Sequence, residues 1–218
     1  VYEETTSLKA GEVVTGTGNL MSVTLGPGIL SNIFDGIERP LKAIEKESGS
    51  FISRGSTVPA LDTEKSWDVT VTVKTGDYLS PGQIYATCPE TSIIMHKCMV
   101  PPNLSGKVVK AKKSDKYKVN DVVVTIKDDN GNTHDLTLCQ TWPIKRPRPI
   151  KDRLAGNVPL ITGQRIIDTL FPLSKGGTAA VPGGFGTGKT MTQHQIAKWC
   201  DADIIVYVGC GERGNEMS

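Results

Sequence analysis

Three spacings of apolar and polar residues follow one another along the chain. From residue 1 to about 48, short apolar stretches are broken by glycines. Val13-Val14 and Met21 to Leu25 predict strands. Leu25-Gly-Pro-Gly-Ile-Leu30 reads as a turn, because Pro27 and Gly28 punctuate it. Leu30 to Ile37 begins either a helix or a tight connection. Beyond residue 49 the period becomes two. Trp67-Asp-Val-Thr-Val-Thr-Val73 alternates apolar and polar, the signature of a half-buried strand. Lys107-Val108-Val109, Val122 to Ile126 and Leu136 to Leu138 continue the series. Gly76, Pro81-Gly82, Gly106 and Asp129-Asn130-Gly131 mark the turns, the last of hairpin type. Short strands with frequent turns predict a small sandwich or barrel over 49–140.

Prolines 143, 147 and 149 and the charges of Lys151-Asp152-Arg153 then interrupt the pattern. After them it turns α/β. Ile166, Ile167, Leu170 and Phe171 line one face of a short helix that Pro172 ends. Thr178 to Val181 predicts a short buried strand, and Lys189 to Cys200 a helix with Ile196, Trp199 and Cys200 on one side. Asp203-Ile-Ile-Val-Tyr-Val208 is nearly continuous apolar sequence, as expected of a parallel strand covered on both faces.

Composition narrows this picture only a little. With 38% hydrophobic and 22% charged residues the 218-residue chain reads as globular. Its net charge of +2 does not point to nucleic acid. No apolar run approaches the roughly 20 residues of a membrane-spanning helix. The basic stretch Lys145-Arg146-Pro147-Arg148 is either an exposed connection or a contact for an acidic neighbour. Cysteines 88, 98, 139, 200 and 210 form no Cys-x-x-Cys pair, so they read as reduced thiols and not as zinc ligands. His96, His134 and His194 are scattered, and Asp115, Asp121, Asp128 and Asp129 read as turn residues. The chain opens on Val1 and stops inside a polar motif, which reads as a piece of a longer protein.

The candidate chemistry lies in Gly183-Gly184-Phe185-Gly186-Thr187-Gly188-Lys189-Thr190. The pattern Gly-x4-Gly-Lys-Thr builds a loop whose backbone N–H groups curl around phosphate, with a helix N-terminus behind it. Lys189 supplies a charge for the outer phosphates and Thr190 a hydroxyl for Mg²⁺. A chance match in a chain of this length is on the order of one per cent. The predicted strand before it and helix after it fit the same reading: a nucleoside triphosphate, ATP, is the expected ligand.

Glu212 and Arg213 follow the apolar run at 203–208, at the edge where open α/β sheets bind ligands. Glu212 there is placed to deprotonate a water, and Arg213 to contact a γ-phosphate. The same pair reads equally as a surface ion pair. A second acidic residue to support Mg²⁺ is expected beyond Ser218.

With these motifs in view, the sequence resembles the catalytic A subunit of the V-type proton-pumping ATPase. The resemblance rests on Leu25-Gly-Pro-Gly-Ile-Leu-Ser-Asn-Ile-Phe-Asp-Gly-Ile-Glu-Arg-Pro-Leu41, Trp142 to Pro149, Pro159 to Pro172, the glycine loop, and Gly209-Cys-Gly-Glu-Arg-Gly-Asn-Glu-Met217. It implies an α/β fold: the start of a P-loop (RecA-like) nucleotide-binding domain, preceded by part of an N-terminal β-barrel and a β-rich insertion. Residues 1–24 would end the barrel, 25–48 connect it onward, 49–140 form the insertion and 141–218 begin the ATPase domain. The implied activity is ATP hydrolysis driving proton transport, with ATP and Mg²⁺ at the site. Three such subunits would alternate with three B subunits, joined to central and peripheral stalks and a membrane sector, on the cytoplasmic face of vacuolar or other endomembranes. Glu212 would be the water-activating base, Arg213 a γ-phosphate contact, and Phe185 an aromatic beside the nucleotide. Many eukaryotic members carry Cys where this chain has Thr187, so redox control by that route is in doubt here. Gly184 also replaces a more usual small or proline residue.

Two other readings are kept. One is another hexameric ATPase, such as an F-type β subunit or a flagellar export ATPase, against which the 49–140 segment counts. The other is a non-catalytic nucleotide-binding subunit, which replacement of Lys189 or Glu212 would have favoured.

Overall fold

The computed structural model describes residues 5–16, 18–53, 55–150 and 152–211. Two compact units divide the chain at Ile150 and Lys151.

The first unit is a strand assembly. β1 (Ser22–Leu25) pairs antiparallel with β10 (Gln140–Pro143), setting Val23 opposite Trp142. Between them in sequence lie α1 (Leu41–Ser48), β2 (Ser66–Val71), β3 (Tyr78–Leu79), β4 (Ile84–Pro89), β5 (Met95–Met99), β6 (Gly106–Ala111), β7 (Asp115–Lys118), β8 (Val124–Lys127) and β9 (Thr133–Leu136). They form two antiparallel four-stranded sheets, ordered β5-β4-β2-β7 and β3-β6-β8-β9. In β2 the alternation predicted from sequence is realised: Trp67 and Val69 are buried while Ser66, Asp68 and Thr70 face water. Both sheets contribute to one core, with Trp67, Tyr85 and Cys98 from the first and Val108, Ile126 and Leu136 from the second. Each such side chain removed from water contributes about 1.5–3 kcal/mol before the entropic cost of ordering it.

Local chemistry explains the joints. In β6 the register shifts between Val108 and Lys110, which leaves Val109 exposed and breaks the period of two. Gly106 faces the β8 strand so closely that a Cβ would overlap the Lys127 carbonyl. The β8–β9 hairpin turns through Gly131 at φ 88°. Asp128 caps it, accepting from Asn130 N at 2.9 Å, Asn132 N at 2.8 Å and His134 Nε2 at 3.0 Å. The His134 contact first, then the backbone donors, hold the Asp128 carboxyl down at about 2. Residues 30–37 form the tight connection and no helix. Asp35 accepts from the Ile37 and Arg39 amides, and Arg39 Nε binds it at 2.7 Å. The helix begins only after Pro40, with Ile44 as its buried residue. The strand expected at Val13-Val14 does not form: both residues are more than 90% exposed, and no strand among the described residues pairs with them. The basic stretch folds back on β10, with Arg148 over the Trp142 ring and Trp142 Nε1 donating to Arg146 O.

The second unit holds β11 (Pro159–Leu160), α2 (Arg165–Leu170), β12 (Leu173–Ser174) and α3 (Lys189–Trp199). Both helices lie where the sequence puts them. β11 and β12 form a two-residue antiparallel pair that no sequence pattern signals. The strands expected at 178–181 and 203–208 do not form. Both segments run without regular pairing, and Ile204, Ile205, Val206 and Val208 are 42 to 80% exposed. A parallel strand needs hydrogen-bonded neighbours and cover on both faces, and the described residues of this unit supply neither. No helix among the described residues is long and apolar enough to cross a membrane.

Candidate functional site

The glycine loop is held at the head of α3, and α3 is anchored by the segment before it. Thr162, fully buried, donates from both N and Oγ1 to Asp168 Oδ1, at 2.9 and 2.7 Å. Gly163 N reaches Asp168 Oδ2 at 3.1 Å. These bonds keep the Asp168 carboxyl below the usual carboxylate range. Gly163, at φ 77°, lies against the other end of α3: a Cβ there would stand 2.9 Å from Trp199 Cβ. Asp201, just past α3, receives Ile161 N at 3.0 Å and Lys175 Nζ at 2.7 Å. The Pro159–Phe171 segment is thus a bracket for the helix that carries the loop. Its apolar period was legible in the sequence, but the Thr162–Asp168 bond was missed. A Thr six residues before an Asp in the first turn of a helix is the one signal that was available.

The loop leaves the extended segment at Pro182 and enters α3 at Lys189. Two glycines take backbone conformations that side chains resist: Gly186 at φ 75° and Gly188 at φ 84°, ψ 17°. Open space surrounds the Cβ positions of Gly184, Gly186 and Gly188. Gly188 caps α3 without any side-chain hydrogen bond, and the first turn has no acidic residue. The positive end of the helix is therefore not neutralised by its own first turn, which favours an anion there. Lys189 and Thr190 are the first two helical residues. Thr192 secures this turn, donating from N at 2.9 Å and from Oγ1 at 3.1 Å to Gly188 O. Phe185 stands at the apex, 93% exposed. An open glycine loop, an uncapped helix end, a lysine and a hydroxyl at its start form a donor set suited to phosphate oxygens and, through Thr190, to Mg²⁺.

The structure brings Gly183 to Thr190 together as a loop and the first two residues of α3. Glu212 and Arg213 lie outside the described residues. Beside α3, Ile196 and Cys200 form an apolar groove with Val181 and Ile205, and the His194 and Tyr207 rings meet edge-on at 5.6 Å.

Comparison with known proteins accounts for both units. Residues 58–145 match the ATP synthase alpha/beta subunit barrel-sandwich domain, and residues 163–218 match the nucleotide-binding domain of the ATP synthase alpha/beta family. Over all 218 residues the chain is 61% identical to the V-type ATP synthase alpha chain of Halothermothrix orenii. It is 59% identical to the V-type ATP synthase alpha chain 2 of Clostridium tetani. It is 56% identical to the A subunit of the A-type ATP synthase of Methanopyrus kandleri.

The chain belongs to the ATP synthase alpha/beta family.

It spans 37% of the length of each of these relatives. In the family's terms, the two-sheet unit carries the barrel-sandwich domain and the second unit begins the nucleotide-binding domain. The α/β fold class expected from sequence holds at this level. The match to the nucleotide-binding domain runs through the loop, α3 and the 203–208 segment.

Proposed function

We propose that this chain is part of the catalytic subunit of a rotary, proton-transporting V-type ATPase, in which ATP hydrolysis drives proton transport across a membrane. The observation that carries the reading is the open glycine loop ending in an uncapped helix N-terminus with Lys189 and Thr190 at its start. Relatives named as V-type and A-type ATP synthase chains over its full length support it. The same site serves synthesis when the motor runs in reverse. In this reading residues 1–24 end an N-terminal barrel, 25–48 connect it, 49–140 form the insertion and 141–218 open the ATPase domain.

Gly183 to Gly188 hold the β- and γ-phosphates through backbone N–H groups, and Phe185 lies beside the nucleotide. Lys189 neutralises charge on the outer phosphates. Thr190 contributes its hydroxyl to Mg²⁺, which offsets charge on the phosphate oxygens when bound. Glu212 takes the proton of the attacking water, and Arg213 binds the γ-phosphate as its negative charge redistributes. The partners are B subunits in an alternating three-by-three ring, the stalks and a membrane sector, with the head peripheral to the membrane on its cytoplasmic face.

The test is ATP turnover by the complete assembled protein. Lys189→Ala should abolish it. Glu212→Gln should lower kcat by about 100-fold or more while ATP still binds, the range expected for loss of a general base. Turnover within about threefold of the parent in Glu212→Gln would remove the base assignment.

A further inference from the structure

Thr187 is the loop residue whose side chain the phosphate chemistry does not use. In the structure its hydroxyl donates to the Gly184 carbonyl at 2.8 Å. The bond spans three residues and closes the loop on itself. The same Oγ1 lies so close to where a Cβ on Gly183 would stand that the two would overlap, with Lys189 Cγ 3.4 Å from that position. Gly183 is therefore the glycine against which the loop packs, whereas Gly184 borders open space. A side chain at 183 forces Thr187 to rotate about χ1, and that rotation breaks the bond to Gly184.

The bond has a consequence for the backbone. The described peptides are all trans, and a trans peptide holds its C=O and N–H on opposite sides. Fixing the Gly184 carbonyl toward Thr187 fixes the Phe185 N–H to face away from it. Gly184 supplies one of the two torsions that orient this peptide, and without a restraint a glycine leaves that torsion a wide range.

The geometry points to Thr187 as a positioning residue, whose hydroxyl, seated against the bare Gly183 and bonded to Gly184, holds the loop in its binding shape before the triphosphate arrives. This rests on the reading of 183–190 as a triphosphate loop. Thr187 acts through the loop backbone and touches no reacting atom. Preorganisation of this kind strengthens ground-state and transition-state binding alike, so it acts on KM and leaves kcat alone.

The experiment uses the full-length protein in its assembled complex and measures ATP hydrolysis against MgATP concentration. Thr187→Val keeps the shape and removes the hydroxyl; it should raise KM about three- to tenfold, the worth of one hydrogen bond, with kcat within twofold. Thr187→Ser restores the hydroxyl and should return KM to within twofold of the parent. Gly183→Ala should raise KM as well, and adding Thr187→Ala should recover part of that loss, because the colliding side chain is gone. A folding defect would reduce the yield of complex and leave the KM of the assembled fraction unchanged. An unchanged KM in Thr187→Val, a fall in kcat at constant KM, or strictly additive effects of Gly183→Ala and Thr187→Ala would each overturn the positioning role. If Lys189→Ala also hydrolyses ATP like the parent, the loop reading falls with it. If Lys189→Ala is inactive and Thr187→Val is normal, only the positioning role falls.

Discussion

Single residues in this chain carry consequences that their burial or bonding makes measurable. Cys88 and Cys98 sit in the sheet core, and burial pushes their thiols up to about 11 and about 12. The thiolate is the reactive form, so both should resist alkylation by iodoacetamide at pH 8 until the protein unfolds, while the exposed Cys210 reacts. Mass spectrometry of native and urea-treated samples checks this; native labelling of Cys98 at the rate of Cys210 would contradict the buried assignment. Asp128 gives a pH dependence. Its folded carboxyl lies near 2 against an ordinary value of 3.8. A depressed value means that its contribution is complete above pH 3.8 and disappears as the pH falls through 2. Asp128→Asn should therefore melt below the parent at neutral pH, with the gap in Tm closing between pH 4 and pH 2. A gap that persists at pH 2 would contradict the sign.

At the scale of elements, the strands owe as much to their contacts as to their pattern. β6 shows it best. Its sequence predicts a strand with Val108 and Val109 adjacent; the bulge after Val108 turns Val109 outward, and Gly106 brings the backbone against Lys127. Gly106→Ala adds a Cβ where the neighbouring strand's carbonyl already stands. It should destabilise the barrel-sandwich unit by about 1–3 kcal/mol, the usual cost of overpacking, as read from urea denaturation. A shift of the midpoint smaller than scatter would mean that the β6–β8 contact relaxes freely. α3 is the complementary case. Its start is fixed by Gly188 and its end by Gly163 and Asp201, so its span was legible from Gly-Lys-Thr at one end and the apolar period along it. The Thr162–Asp168 bracket was not legible, because a hydrogen bond between a buried hydroxyl and a carboxylate leaves no periodic trace.

At the scale of the molecule, the two units differ in how far their own residues satisfy them. The first closes a core from two sheets. The second leaves Val206 80% and Val208 75% exposed in a run that reads as a buried strand. The family match over 163–218 takes in this run, and the chain spans 37% of the length of the matched relative. In the full-length protein the amides of 204–208 should be protected from hydrogen exchange for minutes or longer, as in a paired central strand. Exchange within seconds there would mean that the segment is a loop in the whole protein as well. Lys189→Ala, which acts on the site, should leave that protection intact.

By itself the sequence determined the glycine loop, the helix after it and the alternating strands, because these depend on spacing: glycines where the backbone must bend, apolar residues every second or every third to fourth position. It also carried the resemblance that the family match supports. Tertiary structure alone decided the bulge in β6, the Asp128-capped turn, the bracket of Thr162, Asp168 and Asp201 around α3, and the bond from Thr187 to Gly184. It also withheld pairing from 178–181 and 203–208, where apolar sequence alone predicts strands. The physical reason is common to all of them. Periodicity reports which side of an element avoids water, whereas a hydrogen bond or a strand pairing needs a second group brought from elsewhere in the chain, and only the folded backbone says whether it is there.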